Sequence, residues 1–426
     1  MTTPVDFERE IGMTKPDHVV YRPRGGDSGD TGNEHFLVFD GPDGSLMTVW
    51  TQSTAEGRSD QHIVFSRSDD EGQTWTKPRK LAGADPKTGK GMASWGFPLV
   101  SKSGRIYVLY SRHIGMNDIF THTTGWLGAI CSDDAGKTWS EEELVPMRRT
   151  IYDNPDSTIP PNIIVWQKPI RLSCNGKYYT GLTRWVSPSR GYPPPTKSWT
   201  SHASVVEFIR FENLDENPRP RDLRLTFFAQ DDQAIKVGMK EHPHQPVVQE
   251  PSLVNLPNGW LFCAMRTMSG HPYYTVSEDG GETWRKPEPM RRFDNGPLLL
   301  HPLSPCPIYQ THEGDYFFLF HNHDGHWGKW GPEDTSQHRR PICIARGEFR
   351  KGAHQPVWFS EPKVLMDHDG VGLGPPPPGT TRTDLAMYAS CTCGRGKTTL
   401  WYPDRKFFLL GKKIGRVLMD ALPVKQ

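Results

Sequence analysis

Glu250 and Arg266 stand near the two ends of one segment, EPSLVNLPNGWLFCAMRT. A carboxylate can take or give a proton, and a guanidinium offers a planar fork that matches a carboxylate. Similar residue types occupy matching places elsewhere. They are His35, Arg112 with His113, Gln167 with Arg184, His321 with His323, and Tyr388. Together they would give fixed cations for an anionic ligand and several groups able to move protons. A tyrosine joins such chemistry as a nucleophile only when a base removes its proton, since its pKa is near 10.

Those places are defined by a repeated layout. FPLVSKSGRIYVLYSRH (97–113), KPIRLSCNGKYYTGLTRW (168–185), EPSLVNLPNGWLFCAMRT (250–267) and CPIYQTHEGDYFFLFHNH (306–323) each run from proline through an apolar strand and a glycine turn. Each then has an aromatic-rich strand ending near Arg or His. EHFLVFDGPDGSLMTVWTQ (34–52) and MYASCTCGRGKTTLWYPD (387–404) are weaker copies. A second repeat, Ser-x-Asp-x-Gly-x-Thr-Trp, appears as SDDEGQTW (68–75), SDDAGKTW (132–139) and SEDGGETW (277–284). It reads as a tight turn between strands, with Asp accepting from turn amides and Gly supplying positive φ. Its tryptophans, Trp75, Trp139 and Trp284, are expected to pack inside their own sheets. Six hairpins, each followed by more strand, predict an all-β fold, a six-bladed β-propeller with these boxes, as one domain over 1–426. HVVY at 18–21 is expected to close the ring beside KFFLLGKKI. A β-sandwich is the runner-up. GYPPPTKSW and GPPPPGTT read as loops between blades that rim a pocket.

Composition narrows the function. Lys+Arg 50 against Asp+Glu 49 leaves no basic excess, which argues against a nucleic-acid partner. No apolar run is long enough to span a membrane, so no membrane partner is expected. The opening residues lack a leader's apolar stretch, so a cytoplasmic location is favoured unless a leader was removed. Seven scattered cysteines read as mostly buried thiols in a reducing compartment. The CTC at 391–393 lacks a second pair to complete a metal site, and HNHDGH (321–326) is the one run able to ligate a metal. No cofactor is expected.

The three boxes resemble the Asp-boxes of the sialidase (neuraminidase) superfamily, whose members are six-bladed propellers. QEPSLVNLPNGWLFCAMRT is similar to the sialidase segment holding the carboxylate that activates the nucleophile and an arginine that binds substrate. The resemblance implies those roles for Glu250 and Arg266. HRRPICIAR resembles the strand carrying another substrate arginine, here Arg340 or its neighbour Arg339. MYASCT resembles the segment with the nucleophilic tyrosine, here Tyr388. The implied function is retaining hydrolysis of a glycosidic bond at an anionic sugar, a sialic acid or a uronate, with an anionic oligosaccharide as partner. Structural readings stay open beside these: an ion pair across the hairpin for Glu250 and Arg266, a packed channel residue for Tyr388, a loop pair for Arg339 and Arg340.

The chain departs from that pattern in the first blade. NEHFLVF carries Glu34 and His35 where the family has an arginine. In the loop STAEGRSDQH, Asp60 falls late for the family's acid/base aspartate, and His62 follows it. Histidines accumulate instead: His35, His62, His113, His321 and His323. They support a second class, a polysaccharide lyase acting by β-elimination at a uronate. His113, His62 or Tyr388 would be its base, and Arg184 or Arg266 would neutralise the carboxylate, with Arg112 and Gln167 as further substrate contacts. A non-catalytic glycan-binding propeller is the third.

Overall fold

The computed structural model describes residues 6–24, 29–83, 91–120, 122–192, 199–239, 242–334, 338–373 and 384–425. The proline-rich segments expected to rim a pocket lie largely outside the described residues. Strands dominate and form six antiparallel sheets, the blades of a propeller. Blade one runs Gly32–Asp40, Leu46–Ser53, His62–Ser68 and Arg79–Gly83, from the central channel outward. Blade two starts with Ala93–Val100 and Ile106–Arg112, and blade four with Val248–Asn255 and Leu261–Thr267. Blade five starts with Ile308–Gln310 and Tyr316–Phe320. In blade three the innermost strand is in two pieces, Asn162–Ile164 and Ile170–Arg171, both paired with Tyr178–Trp185. Blade six holds Ser390–Thr392, Thr399–Asp404 and Phe408–Lys413, and His18–Tyr21 pairs with the last of these from the far end of the chain.

Each sheet is covered on both faces by its neighbours, so its strands read as continuous apolar runs rather than alternating ones. Tyr316–Phe320, YFFLF, is buried at every position. One apolar cluster runs from Leu37, Val49 and Phe65 of blade one, through Phe97 and Leu109 of blade two, to Leu182 and Ile209 of blade three. Among the described residues no helix is long and apolar enough to cross a membrane.

The three boxes close the same turn with the same bonds. The serine hydroxyl donates to the aspartate at 2.8, 2.9 and 2.8 Å in box order. The same hydroxyl accepts the amide of Gly72, Gly136 or Gly281. The aspartate also takes the threonine amide and hydroxyl, the latter at 2.5, 2.6 and 2.5 Å. The tryptophans do not pack inside their own blades. Trp75 sets its ring edge-on to Trp401 of blade six at 5.7 Å, and Trp139 meets Phe65 of blade one at 5.5 Å. Trp284 stacks on Phe208 of blade three at 4.0 Å. Each box therefore bolts its blade to the preceding one.

The box glycine makes that contact possible. At Gly72, Gly136 and Gly281, φ is +87°, +79° and +95°. A Cβ there would lie 2.6 Å from Trp401, Phe65 or Tyr179 of the preceding blade. Gly281→Ala should therefore cost about 3 kcal/mol or more in denaturant unfolding, while Gly259→Ala, at positive φ in open space, should cost only about 1 kcal/mol. Equal losses would show that φ alone sets the requirement.

The boxes also predict an acid limit. Hydrogen bonds from Thr74 and Thr138 hold Asp70 and Asp134 down to about 2. A depressed folded-state pKa gives stability that is complete above the ordinary aspartate value, roughly 3.9, and lost as pH falls toward about 2. Thermal midpoints should fall through that window, and an Asp70→Asn, Asp134→Asn double variant should show a shallower fall.

Candidate active site

Three innermost strands carry the same irregularity at the same mouth of the channel. Register shifts fall between Glu34 and Leu37, Ser94 and Phe97, and Gln249 and Ser252. In each bulge one bulky residue adopts positive φ: His35 at 53°, Trp95 at 56° and Glu250 at 56°. Such residues are disfavoured there, and they persist only where surroundings over-determine them. The surroundings are visible. The Glu250 amide donates to the Thr183 hydroxyl of blade three at 2.7 Å, and the Trp95 amide to the Thr51 hydroxyl of blade one at 3.0 Å. The Phe36 amide beside His35 donates to the Tyr388 carbonyl at 3.0 Å. A bulge turns a side chain out of strand alternation, and here all three are enclosed at the mouth.

Glu250, Arg266 and Tyr388 meet there, each nearly fully buried. The Tyr388 hydroxyl donates to Glu250 Oε1 at 3.0 Å. Arg266 Nη1 lies 2.9 Å from Glu250 Oε2 and 3.2 Å from the Tyr388 oxygen. Arg266 Nε and Nη2 both donate to Gln249 Oε1, at 3.0 and 2.6 Å. Three of the five guanidinium N–H groups thus make hydrogen bonds within the cluster, and the Glu250 contact is an ion pair. Burial pushes Glu250 up, against the opposing pull of Arg266, Arg339 and Lys406. Burial, together with the Glu250 charge, also pushes Tyr388 up. Trp95 and Trp166 set their rings edge-on to Tyr388 at 5.6 and 6.2 Å.

Two more cations complete the cluster. Arg339 is buried, donates from Nη2 to the Leu303 carbonyl at 2.9 Å and lies 3.9 Å from Asp384. Its Nε has no partner among the described residues. Lys406, absent from the sequence-based candidates, puts its ammonium 5.0 Å from the Tyr388 ring centroid. It pairs with Glu34 at 3.3 Å and with Glu56. Lys406 reaches the mouth from a two-residue turn in which Arg405 (55°) and Lys406 (50°) both have positive φ. Asn or Gly ordinarily fills such a turn. One signal was readable: PDRKFF is a hairpin turn with two cations where small residues belong.

Several sequence-based candidates are engaged elsewhere. Arg184 is sealed in an ion-pair triad, 3.0 Å from Glu207 and 2.6 Å from Asp153, so it offers no fork to a ligand. Arg112 turns to Glu142 on the flank of blade two. Gln167 sits partway along the channel, accepting the Leu253 amide at 3.1 Å. Arg340 diverges from Arg339 and pairs with Asp367 at 2.9 Å. Asp60 accepts the amide and hydroxyl of Thr54 at 2.8 and 2.5 Å, and His62 bonds the Asp60 carbonyl at 2.8 Å. The same loop sends Glu56, not Asp60, to Lys406.

The histidines do not gather on Tyr388. His113 bonds the Thr124 carbonyl at 3.1 Å. His35 lies 5.0 Å from Trp95, and burial holds its imidazole neutral, down to about 3. His321 stacks on His301 in blade five, 5.2 Å between rings, and bonds the Ser304 hydroxyl. Among the described residues no three His, Cys, Asp or Glu side chains gather as ligands for a metal.

The family of BNR repeat-like domains matches residues 44–404. No curated protein matches the sequence. Among solved structures, the chain is similar to the leech intramolecular trans-sialidase complexed with 2,7-anhydro-Neu5Ac, at TM-score 0.60 and 12% identity over 98% of this chain and 73% of that one. It is similar to the intramolecular trans-sialidase of Ruminococcus gnavus, at TM-score 0.59 and 13% identity over 95% and 98%. It is also similar to the α-L-arabinanase of Penicillium chrysogenum, at TM-score 0.55 and 12% identity over 96% and 99%. Identities this low speak to a shared fold.

Lys406 is the buried counterion of two carboxylates, so Lys406→Met leaves Glu34 and Glu56 facing each other. Removing one partner of a buried pair costs about 3–5 kcal/mol. Denaturant unfolding should register that loss at neutral pH, and it should shrink at pH 4–5, where protonation removes the repulsion. A pH-independent loss would mean that Lys406 acts through packing alone.

Proposed function

The chain belongs to the family of BNR repeat-like domains, and from that premise we propose that it is a sialidase-like retaining glycoside hydrolase acting on an anionic sugar. The observation that carries this reading is the buried Tyr388–Glu250 hydrogen bond, 3.0 Å, with Arg266 on both oxygens. The Tyr388 oxygen attacks the anomeric carbon as its proton passes to Glu250. The leaving oxygen takes a proton from an acid, a role we give to Glu56, which Lys406 holds at the mouth and which must carry a proton in the reactive complex. Water then attacks the glycosyl-tyrosine with Glu56 as base, and Glu250 returns the proton to Tyr388. The three cations support the first step by favouring the developing phenolate, while burial makes Glu250 a stronger base and Tyr388 a weaker acid.

Arg266 is largely committed to Gln249, Glu250 and Tyr388. Arg339, whose Nε–H has no partner among the described residues, is therefore the better candidate for the sugar carboxylate. The elimination alternative would draw its base from His113, His62 or Tyr388, and each of His62 and His113 is held by a carbonyl of its own blade, which leaves it only Tyr388.

A mechanism-based test uses a glycosyl fluoride with a second fluorine beside the anomeric carbon, in sialic acid and uronate forms. Peptide mass spectrometry should find a covalent adduct on Tyr388 and none in Tyr388→Phe. Unsaturated-uronate absorbance without an adduct would establish elimination instead. Binding of the glycans without turnover would mark a glycan-binding propeller.

Two kinetic outcomes follow. Glu250 accepts a proton only when ionised, and its pKa is raised, so the acid limb of kcat/KM should lie above the ordinary glutamate value of roughly 4.3. Glu56→Ala should slow substrates with poor leaving groups about 100-fold or more, and activated aryl glycosides far less. Equal losses on both would remove Glu56 from the acid role.

A further inference from the structure

Cys391 and Cys393 take no part in the site above, although they belong to the same stretch of chain as Tyr388. Residues two apart on a strand present their side chains to one face. Here the two Sγ atoms are 3.9 Å apart. They lie toward the end of the innermost strand of blade six, beyond Tyr388, which precedes that strand at the mouth. Cys391 is buried in the strand, and Cys393, just past its last residue, is exposed. The chain turns at Gly394, where no strand pairing holds Cys393 in place. A disulfide needs an S–S distance of about 2.05 Å. The remaining approach is within reach of side-chain rotation at a strand end.

The surroundings differ for the two thiols. Cys393 Sγ touches the Gln310 carbonyl at 3.1 Å and lies 4.0 Å from the Thr398 hydroxyl. The Lys168 ammonium reaches from blade three to the Cys391 carbonyl at 3.0 Å, placing a positive charge beside the pair. The hydrogen bond from Cys391 holds the Cys393 thiol down to about 7, whereas that same bond and burial push Cys391 well up. The other exposed cysteine, Cys174, has no cysteine neighbour within bonding reach among the described residues. Cys263 and Cys306 are enclosed in the core between blades.

We propose that Cys391 and Cys393 form a thiol–disulfide exchange site that takes a small-molecule disulfide. Cys393 Sγ, as thiolate, attacks one sulfur of the disulfide, forming a mixed disulfide and releasing one thiolate. Cys391 then attacks Cys393 Sγ, closing the internal disulfide and releasing the second thiolate, which takes up the Cys391 proton. Two protein thiols are oxidised, and the disulfide is reduced to two thiols. The buried, less acidic Cys391 resolves, and the exposed, more acidic Cys393 attacks.

The test uses the full chain and oxidised glutathione, followed by alkylation of remaining thiols and peptide mapping. The expected product is a peptide in which Cys391 and Cys393 have together lost two hydrogens, reversed by dithiothreitol. Cys391→Ser should instead hold glutathione on Cys393, and Cys393→Ser should hold none at Cys391. At pH 7, alkylation of Cys393 should run about tenfold faster than alkylation of Cys174 in the same wild-type sample. The wild-type measurements stand even where a variant folds poorly. Two separate alkylatable thiols after oxidised glutathione, a Cys393 no faster than Cys174, or zinc capture by the pair without disulfide formation would each overturn the proposal. None of these outcomes bears on Tyr388 chemistry, so this inference and the proposed hydrolase activity fail or stand separately.

Discussion

The mouth of this propeller is organised around one carboxylate kept from water. An unpaired buried charge costs several kcal/mol, so Glu250 can be enclosed only if both its oxygens are answered. Tyr388 hydrogen-bonds one, and the Arg266 guanidinium answers the charge of the other as an ion pair. The demand then moves outward. Arg266 is itself buried and needs acceptors, which Gln249 supplies. Lys406 is buried over Tyr388 and needs Glu34 and Glu56. Arg339 takes the Leu303 carbonyl. The result is a network of buried charges in which each cation lies against an anion or a carbonyl.

Backbone strain serves the same end. In a regular strand the side chain of Glu250 would follow the alternation of its neighbours. The bulge re-aims it, and the Thr183 hydroxyl takes the amide freed by the register shift. His35 and Trp95 use the same device on blades one and two, and the Phe36 amide ties the first of these bulges to the Tyr388 backbone. Positive φ at three bulky residues is tolerable only on a scaffold that cannot relax around them. The boxes help provide it, because each locks its blade to the one before through a ring seated over a glycine.

What could be read from the sequence was local. The box turn is specified within eight residues, and each hairpin within about twenty, so six blades and their order were legible. That Glu250, Arg266 and Tyr388 meet at one mouth was legible because they sit at fixed points of that pattern. Contacts between blades were not. Nothing in SEDGGETW says that Trp284 will stack on Phe208, a residue of the preceding blade. Arg184 occupies the hairpin position expected of a ligand-binding cation, but Asp153 and Glu207 reach it from a loop and from the next strand. The first-blade loop contains both Glu56 and Asp60, and residue count alone does not say which one faces inward. Thr54 holds Asp60, and Lys406 draws in Glu56. Lys406 was missed because a charged hairpin turn ordinarily reads as solvent-facing.

The substitution at position 35 has a consequence for how an anionic sugar would be held. Where the resemblance leads one to expect a cation, the chain has an imidazole whose burial keeps it neutral, set against Trp95. On that side His35 and Trp95 form an aromatic wall, with the charges of Glu34 and Glu56 turned to Lys406. The cations stand on blades four, five and six, as Arg266, Arg339 and Lys406, and Arg266 and Lys406 hold carboxylates of the protein more closely than Arg339, which lies 3.9 Å from Asp384. Recognition of a sugar carboxylate would then fall mainly to Arg339, from one side, while the wall takes the apolar face of the ring. Fewer fixed charges on the ground-state carboxylate mean weaker uniform binding. Under the proposed hydrolysis, the cations around Glu250 and Tyr388 would act instead on the negative charge that develops when the phenol loses its proton, which is where electrostatic stabilisation raises a rate rather than only an affinity.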